Sequence, residues 1–321
     1  MQNAYLADWS REQAALMEHG ILTARHRLHE SELFTDEGLI RTIESHPRDA
    51  LDLVTMGTDQ RAQVWCKGDI GDATGEQLLE ALRKGHLWIN LRRMTWHHPA
   101  FAEMVDAVYG ELEAICPGFR SFRRSANMLV SSPSALAFYH ADAPLNILWH
   151  IRGRKRCWVY PPDDPKFMTD ELREIVFTPG EVGEELPYDH SFDDNALVYD
   201  LEPGDIVTWP QNTPHRIENL EGLNVSVSTE HYTDEARRRQ AVFLANHYFR
   251  SKLPFPFRST ELYGPGPFLK ANAFRVARRL GLVSQVEQNP PLSFKFDFDT
   301  PGYVQWYEGA EADVPGPPKA A

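Results

Sequence analysis

Between residues 126 and 232 the sequence breaks into short runs of alternating apolar and polar residues separated by turn formers. That texture constrains the fold more than any other feature. The clearest run spans 145–152: Leu145, Ile147, Trp149 and Ile151 are apolar, while Asn146, His150 and Arg152 fall between them and Leu148 is the one apolar exception. Successive strand side chains point to opposite faces, so one face packs on a core and the other meets something wetter. Val225 and Val227 alternate with Ser226, Ser228 and Glu230 in the same way. The pattern predicts eight strands, at 127–131, 136–142, 145–152, 155–160, 197–201, 205–209, 215–219 and 223–231. Gly153-Arg154 and Pro203-Gly204 read as tight-turn dipeptides between them. Eight short strands with such turns predict a double-sheet jelly roll. Residues 161–196, rich in Pro, Asp and Glu, interrupt it as a long insertion, and a connection of that length is read as a lid or substrate platform.

Around this core the periodicity is helical. Apolar residues recur at spacings of three and four over 11–18, 36–45, 48–54, 75–84 and 99–116, and again over 234–249 and 269–282, with one strand expected at 86–91. The chain is therefore expected to be mainly β with flanking helices. Its parts would be an N-terminal helical region (1–125) packing on the barrel, the jelly-roll core (126–232), a C-terminal helical region (233–309) and a disordered Pro-, Gly- and Ala-rich tail (310–321).

Composition narrows the function. A net charge of −13 over 321 residues argues against a nucleic-acid backbone as main partner. The three cysteines, Cys66, Cys116 and Cys157, are odd in number and far apart, which speaks against a disulfide framework and for a reducing compartment. No apolar run reaches the roughly 20 residues that cross a bilayer, and the first residues lack the pattern of a secretion signal. A cytoplasmic protein with no membrane partner is expected.

One constellation points to chemistry. His140 and Asp142 lie two apart, so an extended strand projects both to the same face, and His215 opens a later strand after the turn-forming residues 210–214. Two imidazoles and a carboxylate on one face of a divalent metal leave its other positions open, the arrangement of the facial triad of non-haem Fe(II) oxygenases. A His-x-Asp alone is a common chance match, so the weight rests on its surroundings.

Those surroundings resemble a known family. The run from His140 through Asn146, Gly153 and Lys155 to Pro161-Pro162 is similar to the Jumonji C and cupin-like Fe(II)/2-oxoglutarate oxygenases. So are Pro203-Gly204-Asp205, Trp209-Pro210, His215-Arg216-Ile217-Glu218 and Val225-Ser226-Val227-Ser228. The likeness covers about a third of the chain and looks closest to the hypoxia-response asparaginyl hydroxylase branch. It implies Fe(II) held by His140, Asp142 and His215, Lys155 paired with the distal carboxylate of the cosubstrate 2-oxoglutarate, Asn146 beside that cosubstrate, and hydroxylation of a protein or peptide side chain. Two positions depart from the pattern. Ala137 stands where the family often has a threonine hydroxyl, leaving Tyr139 or Asn127 to supply that hydrogen bond. Glu230 stands roughly where a neutral Asn is expected, and would repel a dicarboxylate unless protonated or turned to a cation such as Arg154. These departures keep two alternatives open: a cupin-like binding or regulatory protein without catalysis, and a metal-dependent cupin acting on a small molecule without 2-oxoglutarate.

Other candidates read more simply. His26 and His29 fit a surface helix, His97-His98 a helix entry before Pro99, Asp189-His190 an exposed loop, and Cys157 a small apolar filler. Arg275, Arg278 and Arg279 fit a solvated helix face, open to a homodimer contact, better than a nucleic-acid surface.

Overall fold

The computed structural model describes residues 5–178, 186–252, 258–283 and 290–310. The expected disordered tail lies outside these residues, apart from Ala310. The N-terminal third forms β1 (Leu6–Ala7), α1 (Arg11–Leu16), β2 (Leu22–His26), α2 (Asp36–Ser45), β3 (Leu51–Met56), β4 (Trp65–Asp69), α3 (Gly75–Lys84), β5 (Trp88–Leu91), α4 (Met94–His97) and α5 (Pro99–Ile115). Next come β6 (Phe122–Ser131), β7 (Leu136–His140), β8 (Leu145–Val159), α6 (Asp170–Val176), β9 (Leu197–Leu201), β10 (Asp205–Thr208) and β11 (His215–Tyr232). The chain continues with α7 (Asp234–Lys252), α8 (Pro265–Arg279), β12 (Leu292–Phe296) and β13 (Val304–Trp306).

The helix starts follow from local chemistry. Thr35 and Thr74 accept hydrogen bonds from the backbone N–H groups of Gly38 and Gln77, and Gln77 returns the bond to complete a capping box. Pro99 occupies the first turn of α5, where no N–H is needed, so His98 does mark a helix entry.

The jelly-roll expectation is met, with a different path through it. The runs at 145–152 and 155–160 are one strand, β8, and the runs at 215–219 and 223–231 are one strand, β11. The first half of β8 pairs with β10 and the second half of β11; its second half pairs with β9 and the first half of β11, which also carries β7. One hydrogen-bonded network thus folds over into two facing sheets. The fold-over lies where the β8–β11 register slips, between Asn219 and Val225. Gly153 (φ +77°) and Gly222 (φ +69°) meet there, and a Cβ on Gly153 would stand 2.8 Å from the carbonyl oxygen of Leu223. A left-handed glycine inside a paired strand bends it as a bulge does, so Gly153 does not reverse the chain as a turn would. Pro203-Gly204 is the turn expected, and it carries the chain from β9 in one sheet to β10 in the other.

The alternation along β8 separates two cores. Ile147, Trp149 and Ile151 enter the main core with residues of α2, α3 and α5, whereas Leu148, Cys157, Val159, Val207 and Trp209 pack between the two sheets. Each fully buried apolar side chain of this size stabilises the fold by roughly 1.5–3 kcal/mol. The N-terminal third adds strands as well as helices: β2 pairs with β10 and β5 with β6. Residues 48–54 depart from the helical expectation, because a single 3-10 turn at Arg48–Ala50 runs into β3. Leu51 and Leu53 are buried in a paired strand between β4 and β5. His26 ends β2 and is buried, so no surface helix holds it. The three cysteines are free and buried. Among the described residues no helix is long and apolar enough to cross a membrane.

Candidate metal centre

β7 ends on His140, Asp142 follows in the next loop, and β11 begins on His215. The antiparallel register sets His215 directly opposite His140, so the pairing of two strands distant in sequence brings the imidazoles together. Their ring centroids are 4.1 Å apart, and Nε2 of His215 lies 3.6 Å from Oδ2 of Asp142. One ligand atom from each of the three residues falls within 4.8 Å of the others, the one such group among the described residues.

Both histidines are held in the same way. Nδ1 of His140 is 2.6 Å from the carbonyl oxygen of Phe138, and Nδ1 of His215 is 3.0 Å from that of Thr213. A carbonyl only accepts, so each Nδ1 carries the proton and each Nε2 presents its lone pair, the usual outer support of a metal-ligating imidazole. Burial holds the pKa of His215 well below the ordinary histidine value, with the neighbouring His140 adding to the effect. His215 is therefore a neutral ligand at physiological pH. These are features that a divalent metal site requires.

The supporting residues were not apparent from motif spacing. The indole of Trp209 packs against the His215 ring, with centroids 4.1 Å apart and the planes tilted by 39°. The Gln211 amide donates to the carbonyl oxygen of Ala143 (2.7 Å), and the Asn212 amide to that of Asp142 (2.8 Å). Two consecutive side chains of the turn before His215 thus pin the loop that carries the third ligand. Asn212 has φ +61°, a left-handed conformation that Asn tolerates better than most residues. The turn-forming composition of 210–214 was the available signal for it.

Lys155 lies deeper between the sheets. It is 4% exposed, and burial lowers its pKa to about 8. Among the described residues no carboxylate faces it. It shares a narrow cavity with Ala137, Ile217, Asn219, Ser131, Leu129 and Trp88. On β11, Asn219 is four residues from His215 and opposite Lys155, about 13 Å along a strand. The lysine side chain is thus within reach of a short diacid that engages a metal at its other end.

Asn146, Asn127 and Glu230 form a polar group on the same inner face. Asn146 sits opposite Glu230 and donates to the Ser228 hydroxyl at 2.7 Å. Asn127 donates to Oε1 of Glu230 at 3.1 Å and accepts from the backbone N–H of Arg93. Glu230 is thus held by an amide. Arg154 points elsewhere, to Glu221 at 3.3 Å and Glu202 at 3.7 Å, because it alternates with the inward-facing Lys155.

Tyr139 has a different role from the one expected. Its hydroxyl donates to the carbonyl oxygen of Phe167 at 2.8 Å, and its ring lies 4.9 Å from Tyr160 and 5.8 Å from Phe192. It faces away from the cavity and anchors the insertion to the strand that bears His140. A second anchor sits beside His215. Arg216 is buried, stacks 3.4 Å over Trp158, and pairs with Asp193 of the insertion at 2.6 Å. The Tyr160 and Tyr188 hydroxyls donate to the same carboxylate. Burial alone would raise the Asp193 pKa, but Arg216 and the two hydroxyls outweigh it and hold it low. Asp189 and His190 are exposed, as expected, but they cap and open a short 3-10 helix, His190–Asn195, where a loop was expected.

Comparison with known proteins finds likeness at the level of the domain. Residues 90–235 match the model of the cupin-like domain family. Among solved structures, one of Escherichia coli YcfD aligns over 85% of this chain and 68% of its own length, with 13% identity and a TM-score of 0.49. A second, described as a ribosomal oxygenase in complex with cobalt and succinic acid, aligns over the same shares at 14% identity and a TM-score of 0.47. A third, with cobalt and 2-oxoglutarate, aligns over 88% of this chain and 68% of its own at 17% identity and a TM-score of 0.46. No curated protein matches the sequence.

Proposed function

We propose that this chain is an Fe(II)- and 2-oxoglutarate-dependent dioxygenase that hydroxylates a side chain of a protein or peptide. The observation that carries the reading is the convergence of two backbone-oriented imidazoles and a carboxylate within 4.8 Å at the mouth of a two-sheet barrel. The buried, carboxylate-free Lys155 inside that barrel adds a fixed cation for a dicarboxylate. The narrower likeness to asparaginyl hydroxylases rests on the motif between His140 and Pro162, and it supports the protein-side-chain substrate class.

When bound, Fe(II) supplies a centre that chelates the 2-oxo acid end of the cosubstrate and couples its decarboxylation to succinate with oxidation of a substrate C–H bond by dioxygen. The residues of the chain orient and protect that centre. His140, Asp142 and His215 hold one face of the metal. Their bonds to Phe138 and Thr213 keep both Nε2 atoms deprotonated, and Gln211 and Asn212 hold the Asp142 loop. Lys155 fixes the far carboxylate; charge-assisted hydrogen bonds of this type contribute about 1.5–3 kcal/mol. Trp209 and the apolar residues between the sheets keep water from the inner side. The insertion is fastened through Tyr139 and Asp193 beside the strands that bear His140 and His215, and a peptide would lie against it.

The test is succinate release with iron and 2-oxoglutarate. His140→Ala and Asp142→Ala are each expected to abolish it while circular dichroism stays that of the parent chain. Turnover retained in either variant overturns the assignment of the triad. A second reading, a cupin-like binding protein without oxygenase chemistry, is favoured by the Glu230 carboxylate on the inner face. It predicts metal binding with no increase in 2-oxoglutarate affinity when metal is present.

A further inference from the structure

We propose that the indole N–H of Trp88 is the second donor to the distal carboxylate of the cosubstrate, beside Lys155. It fills the role that Ala137 cannot. The inference rests on the 2-oxoglutarate reading above and goes beyond it in naming a residue that no motif marks.

Three observations converge on Trp88. It lines the same narrow cavity as Lys155 and Ala137. Its Nε1 is buried and has no hydrogen-bond partner among the described residues. Its ring packs 5.2 Å from Trp65, which in turn contacts Phe138 at 5.1 Å, so neighbouring rings hold the indole in place. An unpaired buried donor costs about 1–3 kcal/mol, which a ligand acceptor would offset.

The rest of the cavity is arranged for an anion. Its apolar walls are Leu129, Leu136 and Ile217. The Asn219 amide donates to the Ser131 hydroxyl at 2.8 Å and to the carbonyl oxygen of Ser132 at 2.7 Å, so both its protons are committed away from the cavity. The Ser131 hydroxyl, having accepted that bond, retains its own proton to donate. An ammonium, an indole N–H and a hydroxyl therefore line one space with no carboxylate of the described residues beside them. A ligand carboxylate has four acceptor positions and matches three donors of this kind. Register places them together: Trp88 pairs with Ser131 across β5 and β6, Ala137 with Ile217 across β7 and β11, and Asn219 with Lys155 across β11 and β8. Ala137 ends in a methyl group, so no hydroxyl competes with the indole for the same oxygen.

The experiment uses full-length protein loaded with redox-inert Zn(II). By calorimetry, Trp88→Phe is expected to weaken 2-oxoglutarate binding about tenfold, equivalent to 1.4 kcal/mol. Zn(II) affinity should not change, nor should binding of 2-oxobutyrate, which lacks the distal carboxylate. A purely structural role for Trp88 would alter all three together or none. An independent readout needs no variant. One of the eight indole 1H–15N resonances of the wild-type chain should move downfield with 2-oxoglutarate and not with 2-oxobutyrate. Undiminished 2-oxoglutarate binding in Trp88→Phe overturns this inference alone. If that variant does not fold, indole spectra that are identical with the two ligands overturn it instead. Wild-type protein that binds no 2-oxoglutarate overturns the functional reading itself.

Discussion

Replacing Lys155 with Met separates the cost of a buried charge from its use. Burial lowers the lysine pKa from 10.5 to about 8 in the folded chain. At 1.36 kcal/mol per pH unit this amounts to about 3 kcal/mol that the ligand-free fold loses by holding an ammonium there. The sign follows from which state binds the proton more tightly. The folded pKa lies below the unfolded one, so the penalty is complete below pH 8, shrinks between 8 and 10.5, and is gone above. Methionine has similar length and no charge, so Lys155→Met is expected to be more stable than the parent at pH 7 by up to about 3 kcal/mol without ligand. That advantage should shrink to under about 1 kcal/mol at pH 10. With Zn(II) present throughout, 2-oxoglutarate at a hundred times its dissociation constant for the parent should stabilise the parent by about 2.7 kcal/mol and the variant far less, which brings the two proteins close together. Urea unfolding at both pH values, with and without ligand, measures each quantity. A ligand-free variant less stable than the parent at pH 7 would refute the reasoning, because it would mean that the ammonium is already compensated by partners within the chain.

The same lysine sets a pH dependence. Since only its charged form pairs with a carboxylate, 2-oxoglutarate affinity should fall about tenfold from pH 7 to pH 9, with a proton taken up on binding at the higher pH; a flat profile in calorimetry counts against it. Asp193→Asn leaves the buried Arg216 with Glu218 as its one carboxylate partner among the described residues and should cost about 2 kcal/mol, read as faster proteolysis within residues 161–196. In the parent this carboxylate contributes at neutral pH, and its contribution is lost as the pH drops through its depressed pKa; equal proteolysis of variant and parent would remove the anchoring role. On and just after α8, Leu269, Val276 and Leu280 are each more than half exposed at spacings of seven and four, one helix face. We propose this row as a contact with a second copy of the chain. Leu269→Glu with Val276→Glu should turn a dimer into a monomer in sedimentation velocity, and a monomeric parent at tens of micromolar rejects it.

Much of the site was legible because strand geometry is periodic. The polar positions of 145–152 and 225–230 had to line something other than the main core, whereas Asp142, expected beside His140 on one strand face, lies in the loop after β7 and is held there by Asn212. Alternation also accounts for the correction at Tyr139. A residue one position from His140 projects to the opposite face, and Tyr139 duly enters the aromatic cluster under the insertion. Arg154 was misplaced as a neighbour of Glu230: it alternates with the inward-facing Lys155 and so meets Glu221 and Glu202 on the outside. Residues 48–54 show the limit of periodicity itself: a short apolar run fits either period, and pairing with β4 and β5 decided it.

The amino-acid sequence by itself determined the strand-rich core, through its alternation, and the identity of three metal-binding candidates, while Lys155 stood out only through the family resemblance. Only the tertiary structure decided that β8 and β11 are single strands folded over a pair of glycines. It also decided that His215 lies opposite His140, and that Trp88, from a strand before the core, completes the cavity around Lys155. Those outcomes bring together segments far apart in the sequence, such as Trp88 with Lys155 and Asn219 in one cavity, and register between distant strands is set by packing of the whole sheet rather than by any local preference.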